Sequence, residues 1–216
     1  MINRLILIFV AYFFTTGLVS FGQENWKLKS NKDDIAIYTR DVPNSRFKGI
    51  KVVCELNATL SQLVAVVMDV NTAVEWVYST RSAVVLKQVS PSELYYYSEV
   101  NVPWPASNRD FIARLSVSQD AHTKVVTVLG PVFPDYIPEK KDIVRVRRSE
   151  GKWIISPVGK DRVRVEYTLN MDPGGNIPAW LVNMFATKGP YESFRKLKVQ
   201  LKKPAFTHAH LSYIVD

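Results

Sequence analysis

Two hydrophobic periods take turns along the chain. In DIAIYTRDV, residues 34–42, Ile35, Ile37 and Thr39 alternate with Ala36, Tyr38 and Arg40, and FKGIKVVCEL, residues 47–56, follows across Pro43, Asn44 and Ser45. Alternation bounded by turn formers predicts two strands. NATLSQLVAVVMDV then places Leu60, Leu63, Val64, Val67 and Met68 at helical spacing with Thr59 as N-cap. NTAVEWV predicts a second short helix, capped by Asn71 and ending near Tyr78.

From residue 82 the period returns to two. SAVVLKQV, LYYYSEVNV, RDFIARLSVSQD, KVVTVLG, DIVRVRRSEGKWIISPV and DRVRVEYTLNM are separated by short turns, which predicts an antiparallel meander. In the last of these Val163, Val165, Tyr167 and Leu169 share one face while Arg162, Arg164, Glu166 and Thr168 share the other, so one face is covered and one is wet. The cover comes from the final segment, where Ile177, Leu181, Met184, Tyr191, Phe194, Leu197 and Leu201 form an apolar helical stripe after the entry turn Pro173–Gly175. Lys196, Lys198, Lys202 and Lys203 complement the C-terminal end of its dipole. A helix from Ile177 to Lys202, kinked at Pro190, is expected to lie in the grip of a long curved sheet: an α+β fold.

The ends differ from this middle. MINRLILIFVAYFFTTGLVSFGQ has Arg4, an apolar run from Leu5 to Phe14, and Ser20 and Gly22 placed for cleavage. Residues 1–22 are therefore expected to be a signal peptide, since the apolar run is shorter than the roughly 20 residues of a membrane span. Residues 23–204 are expected to be one domain and residues 205–216 a tail without structure. Export to a periplasm, or secretion, follows as the expected location. Cys54 is the only cysteine, so no internal disulfide forms. The chain carries 28 Lys and Arg against 20 Asp and Glu, a net charge of +8, and losing Arg4 with the leader leaves +7. Such a surface favours transient contact with anionic membranes, while export argues against nucleic acid as a partner.

Signatures of chemistry are missing. HExxH, CxxC, GxSxG and glycine-rich phosphate loops do not occur, and His122, His208 and His210 fall in a turn and the tail. No catalytic residue, metal site or cofactor is expected.

Four stretches carry a resemblance to a known family: WKLKSNKDDIAIYTRDV, DVNTAVEWV, PWPASNRDFIAR and NIPAWLVNMFATKGPYESFRKL. Over residues 24–203 the chain resembles the START (StAR-related lipid-transfer) domain of the Bet v 1-like, helix-grip superfamily, with the RDF of Arg109, Asp110 and Phe111 the most characteristic match. The resemblance implies a hydrophobic cavity between sheet and helix that binds one lipid or sterol-like molecule, held by a monomer that transfers it between membranes. It also implies a movable gate at Val102–Asn108, centred on Trp104, with Trp180, Leu181, Met184 and Phe185 as its helix partners. Many members carry an arginine six residues after the RDF arginine, for an internal ion pair. Leu115 stands there in this chain, and alternation sends Arg114 to the face opposite Phe111.

Phe111, Leu115 and Val117 on one strand and Val165 and Tyr167 on another are the candidate lining, with ordinary core packing as the competing reading. Trp76 and Trp104 are candidate ligand or membrane contacts. Tyr97 and Glu99 are candidate internal polar groups. Arg109 and Asp110 either orient a lipid head at the entrance or form a structural pair that anchors the loop. Polyketide cyclases share the superfamily fold, and for that activity Glu99, Arg109 and Tyr97 are the first residues to test. A ligand-free interaction module is the third reading.

Overall fold

The computed structural model describes residues 25–177 and 179–216, apart from the side chains of Ala179, Trp180, Asn183 and Met184. The expected leader, residues 1–22, lies outside the described residues. The elements run β1 (Lys27–Lys32), β2 (Ile35–Asp41), β3 (Lys48–Leu56), α1 (Leu60–Met68), α2 (Ala73–Trp76), β4 (Thr80–Ser90), β5 (Glu93–Val100), β6 (Arg109–Gln119), β7 (Val126–Pro131), β8 (Val144–Arg145), β9 (Arg148–Gly159), β10 (Arg162–Asp172), α3 (Ala179–Gln200) and α4 (Pro204–Thr207).

The strands form one sheet in the order β1-β2-β3-β10-β9-β7-β6-β5-β4, and β8 lies parallel to the start of β6. Antiparallel register sets like with like. Val163, Val165, Tyr167 and Leu169 of β10 sit opposite Leu56, Cys54, Val52 and Ile50 of β3. These paired positions build one apolar inner face. The helix α3 covers it, packing Phe194 and Leu197 against the sheet without solvent exposure to speak of. It runs through Pro190 as one helix and is shorter at both ends than expected.

Two details show how local chemistry fixes the helices. Thr59 and Gln62 form a reciprocal capping box at the start of α1, as the sequence predicts for Thr59. The region after α1 differs from expectation: a 3-10 turn at Val70–Thr72 precedes α2, and Asn71 is inside that turn rather than capping a helix. The Tyr78 amide donates to Ser193 Oγ at 2.9 Å, and Ser193 Oγ donates to Gly189 O at 3.0 Å, clipping this region to α3. Gly189 suits that close contact, because a Cβ would come within 3.3 Å of the Tyr78 ring and the ring would have to shift slightly.

Three further departures have clear causes. The strand β1, KLKSNK, has no apolar alternation and is almost wholly exposed; backbone pairing to β2 alone defines it, and its lysines suit an unpaired edge. The expected single strand DIVRVRRSEGKWIISPV divides into β8 and β9, because Arg145 turns away from the inner face to meet Asp110. The expected tail is packed. Phe206 and Ile214 are buried against α1, the Ser61 amide donates to Asp216 Oδ1 at 2.7 Å, Gln62 Nε2 donates to Thr207 O, and Gln119 exchanges two hydrogen bonds of 2.8 Å with the Val215 backbone.

If this segment is part of the core, Phe206→Ala should lower stability by about 3–5 kcal/mol, the range for truncating a buried aromatic. Urea unfolding checks it. A loss under about 0.5 kcal/mol, the usual size for a surface change, would return the segment to the status of a free tail.

Candidate functional site

The inner face is filled at one end and hollow at the other. At the filled end Trp153 packs on Tyr167 (ring centroids 4.7 Å apart) and Phe194 (5.4 Å), and Trp76 meets Trp153 edge-on at 6.4 Å. Burial there pushes the Tyr167 hydroxyl and the Cys54 thiol up to about 12. Leu115, Val117 and Val165 belong to this same packed cluster. Of the candidate lining, therefore, Trp76, Leu115, Val117, Val165 and Tyr167 are core residues, as the competing reading holds.

Continuing along the same strands with the same parity leads into a cavity of about 410 Å³. From the sheet it is lined by Ile50 of β3, Phe111 of β6 and Leu169 and Met171 of β10; α3 contributes Leu181, Val182, Phe185 and Ala186. Val102 closes one side, Phe47 another, and Arg46, Lys48 and Arg109 bring charge to the wall. Phe111, Arg109, Leu181 and Phe185 are thus brought together as expected. Trp180 and Met184 have side chains outside the described residues. Ile50 and Met171 were missed although their parity was legible: Ile50 pairs with Leu169, and Met171 continues the face of Val163, Val165, Tyr167 and Leu169 two residues nearer the strand end.

The RDF segment divides its residues between faces, so Arg109 and Asp110 do not pair with each other. On the inner side Arg109 is buried, 6 % exposed, and its guanidinium donates to Ser107 O, to Pro173 O at 3.4 Å and to Gly174 O at 3.2 Å. Burial lowers its pKa from the ordinary value. Those carbonyls belong to the loop 101–108 and to the linker between β10 and α3, where Gly174 and Gly175 adopt φ of +68° and +62°, a conformation glycine tolerates freely. Arg46 adds a second clasp, donating to Gly175 O at 2.8 Å.

On the outer side Asp110 receives Arg145 in a bidentate pair, Nε to Oδ1 at 2.7 Å and Nη2 to Oδ2 at 3.1 Å, both side chains 1 % exposed. Arg145 spends its remaining donors on Pro134 O, Ile137 O at 3.0 Å and Pro138 O at 3.2 Å. The segment 131–147 is thereby folded down on the outer face of β5 and β6.

That register corrects two expectations. Tyr97 lies opposite Ile112 and Glu99 opposite Asp110, which puts both on the outer face and outside the cavity. Lys140 sits 4.0 Å over the Tyr97 ring, and Glu99 accepts from Asn108 Nδ2 at 2.8 Å and from Arg81 at 3.1 Å. Of the three consecutive tyrosines only Tyr96 faces inward, edge-on to Phe111 at 5.7 Å. Arg114 also turns outward, as alternation predicts, and pairs with Glu93 at 3.0 Å.

A third correction concerns the loop. Asn108 braces it, with Oδ1 accepting from the Val102 amide at 3.1 Å, and Val102 reaches the cavity. Trp104 does not cover the interior; its side chain is 89 % exposed, at the tip of the loop. Across from it, Pro105 and Ala106 face Asn176 and Ile177 over a second hollow of about 310 Å³, so loop and linker meet there without close packing.

A curved sheet, a gripped C-terminal helix and one apolar cavity are now in place, and a family model described as START domain matches residues 18–205. The chain belongs to the START domain family. Among relatives of this START domain, an uncharacterized protein of Pseudomonas aeruginosa is 30% identical over 180 residues, covering 83% of this chain and 88% of that one. The phosphatidylcholine transfer protein of Rattus norvegicus is 28% identical over 176 residues, covering 80% and 81%. In structure, the STAR-related lipid transfer protein fragment from Xanthomonas axonopodis superposes with a TM-score of 0.75 at 31% identity, over 82% of this chain and 99% of that one. Among the described residues no group of His, Cys, Asp and Glu is arranged to hold a metal ion, and no helix is long and apolar enough to cross a membrane.

Removing Arg145 from its pair strands a buried carboxylate, so Arg145→Met should cost about 3–5 kcal/mol. Adding Asp110→Asn to that variant should recover part of the loss, since it removes the stranded charge. Denaturant midpoints of the two variants check this; equal midpoints would mean that the pair is not the anchor of segment 131–147.

Proposed function

We propose that this START domain encloses one lipid in the cavity beside Phe111 and Leu169, and that as an exported monomer it carries the lipid between membranes across an aqueous envelope space. The cavity carries the reading. Its walls are apolar side chains supplied by strands and helix of the same core, and enclosing an acyl chain there contributes about 0.8 kcal/mol per methylene removed from water. The lipid-transfer relatives and the leader-like residues 1–22 support transport and export respectively.

The entrance in this reading is the seam between the loop 101–108 and the linker 173–177. Both are held by hydrogen bonds from Arg109 rather than by packed side chains, so parting them exposes little apolar surface. Trp104 at the tip of this loop, on a chain of net charge +8, is suited to meet an anionic membrane, where an indole settles between apolar and wet surroundings.

Native mass spectrometry of freshly purified protein, followed by organic extraction, should find one lipid per chain. Leu169→Trp, which places bulk inside the cavity, should reduce that occupancy with the melting temperature preserved to within a few degrees. A protein that carries no lipid and takes up none from vesicles would sink the proposal. In a vesicle-to-vesicle assay Trp104→Ala should slow transfer about tenfold, and added salt should slow the unaltered protein as well; unchanged rates would remove Trp104 from the docking surface.

A further inference from the structure

Resting on that lipid-binding reading, we propose that the ligand is a single-chain amphiphile with an anionic head, held by Arg109 and Arg46 at the mouth of the cavity. Three observations point the same way: the charge of the wall, its aromatic lining and the volume it encloses.

Charge comes first. Among the described residues the cavity is lined by Arg46, Lys48 and Arg109 and by no carboxylate. The acids nearest in sequence are committed elsewhere: Asp110 to Arg145 and Glu99 to Arg81 and Asn108, all on the outer face. Asp172 turns back to accept from the Gly174 amide at 2.9 Å. Lys48 is matched by Asp41 at 2.6 Å, but Arg109 and Arg46 have backbone carbonyls as their only hydrogen-bond partners among the described residues. Carbonyl dipoles solvate a guanidinium without cancelling its charge. Arg109, being buried, costs free energy until an anion joins it, whereas Arg46 stays in contact with water. Three of the five donor hydrogens on Arg109 are used, which leaves two for an incoming oxygen pair. The N-terminal end of α3, whose first turn carries no acid and contributes Leu181 to the wall, adds positive potential to the same mouth.

The aromatic lining argues against a choline head. A quaternary ammonium is recognised by the faces of aromatic rings, best by Trp and also by Tyr or Phe, and neighbouring arginines repel it. Here the lining rings among the described residues are Phe47, Phe111 and Phe185, and Arg46 already lies 4.8 Å over Phe47. Tyr95 and Tyr97 are on the other side of the sheet.

Volume sets the number of chains. A bilayer whose hydrocarbon core is about 30 Å thick makes one acyl chain about 15 Å long. Spread over that length, the cavity of about 410 Å³ has a mean section of about 27 Å². One chain, with carbon contacts at about 4 Å, needs about 16 Å², and two need about twice that. The section admits one chain.

Isothermal titration of the delipidated full-length mature protein with four probes tests this: oleate, a monoacyl glycerol phosphate, the fatty alcohol of the same chain length, and phosphatidylcholine in mixed micelles. Oleate and the monoacyl phosphate should bind one to one, about 10- to 100-fold more tightly than the alcohol, the difference expected of charge-assisted hydrogen bonds. Whichever of the two is tighter names the head, and either supports the proposal. Arg109→Gln should remove the preference for the anions over the alcohol, bringing the probes to equal affinity. Since Arg109 also holds the loop, the comparison among probes on the unaltered protein stands without the variant, and Arg46→Gln, at an exposed position, provides a second reading of the same effect. Equal binding of alcohol and anions, or tighter binding of phosphatidylcholine, would overturn the head and chain assignment while leaving lipid binding intact. Failure of every probe to bind would overturn both.

Discussion

The buried pair of Asp110 and Arg145 is the constraint on which the geometry of the mouth depends. Successive strand residues point to opposite faces, so fixing Asp110 outward against Arg145 fixes Arg109 and Phe111 inward. The pair does more than choose a face. Through Pro134, Ile137 and Pro138 it pulls the segment 131–147 over the outer side of β5 and β6, and through the bridge to β8 it brings Val146 to the cavity wall. A bidentate arginine with every donor used is the geometry in which such a pair withstands its desolvation cost. One residue earlier, the same strand reverses the arrangement. Arg109 has carbonyls and no carboxylate, and the asymmetry between the two neighbours separates a structural charge from one that faces a cavity.

The filled and hollow ends of the grip belong to one fold and differ in where the large rings meet. Along β10 the inner positions run Val163, Val165, Tyr167, Leu169, Met171, and along α3 the hollow end has Leu181, Phe185 and Ala186 where the filled end has Phe194 and Leu197, followed just past the helix by Leu201. Trp153, Tyr167 and Phe194 form the wall between the two. Beyond them the sheet supplies Phe111, with Tyr96 edge-on to it, and Ala186 leaves room on the helix. Left dry, a hollow of this volume would carry a penalty on the order of a whole domain's stability, taking about 20–25 cal/mol per Å³ from core truncations. Such a core is stable only with the hollow wetted from its mouth or occupied by an apolar guest.

Much of the fold was legible because period and parity are local. The meander, the covering helix and the Thr59 cap follow from spacing alone, and the outward turn of Arg114 follows from counting. The errors arose where parity had to be anchored to a face by a partner distant in sequence. Tyr95, Tyr96 and Tyr97 are chemically identical, so nothing local says which one faces in; Asp110 decides it through a residue 35 positions away. The bounds of the cavity were illegible for a different reason. Filled core and lined cavity draw on the same apolar residues, and the boundary between Tyr167 and Leu169 depends on how rings from three elements meet. Trp104 was misplaced because two flanking prolines restrict a loop without specifying where its tip points. The segment 205–216 was read as loose because its anchors, Phe206 and Ile214, are too far apart to show a period.

Arg109 links head recognition to closure. It bonds Ser107 O on the loop and Pro173 O and Gly174 O on the linker, so one guanidinium spans the seam. An anion bound to its two remaining donors would offset the charge that burial leaves uncompensated and would make the residue's inward placement more favourable. Closing the seam and binding the head then favour each other by the same free energy, as linkage requires. A neutral amphiphile of equal length gains the apolar burial without this coupling. It should enter as readily and leave sooner, because departure needs the seam to open but not an ion pair to break.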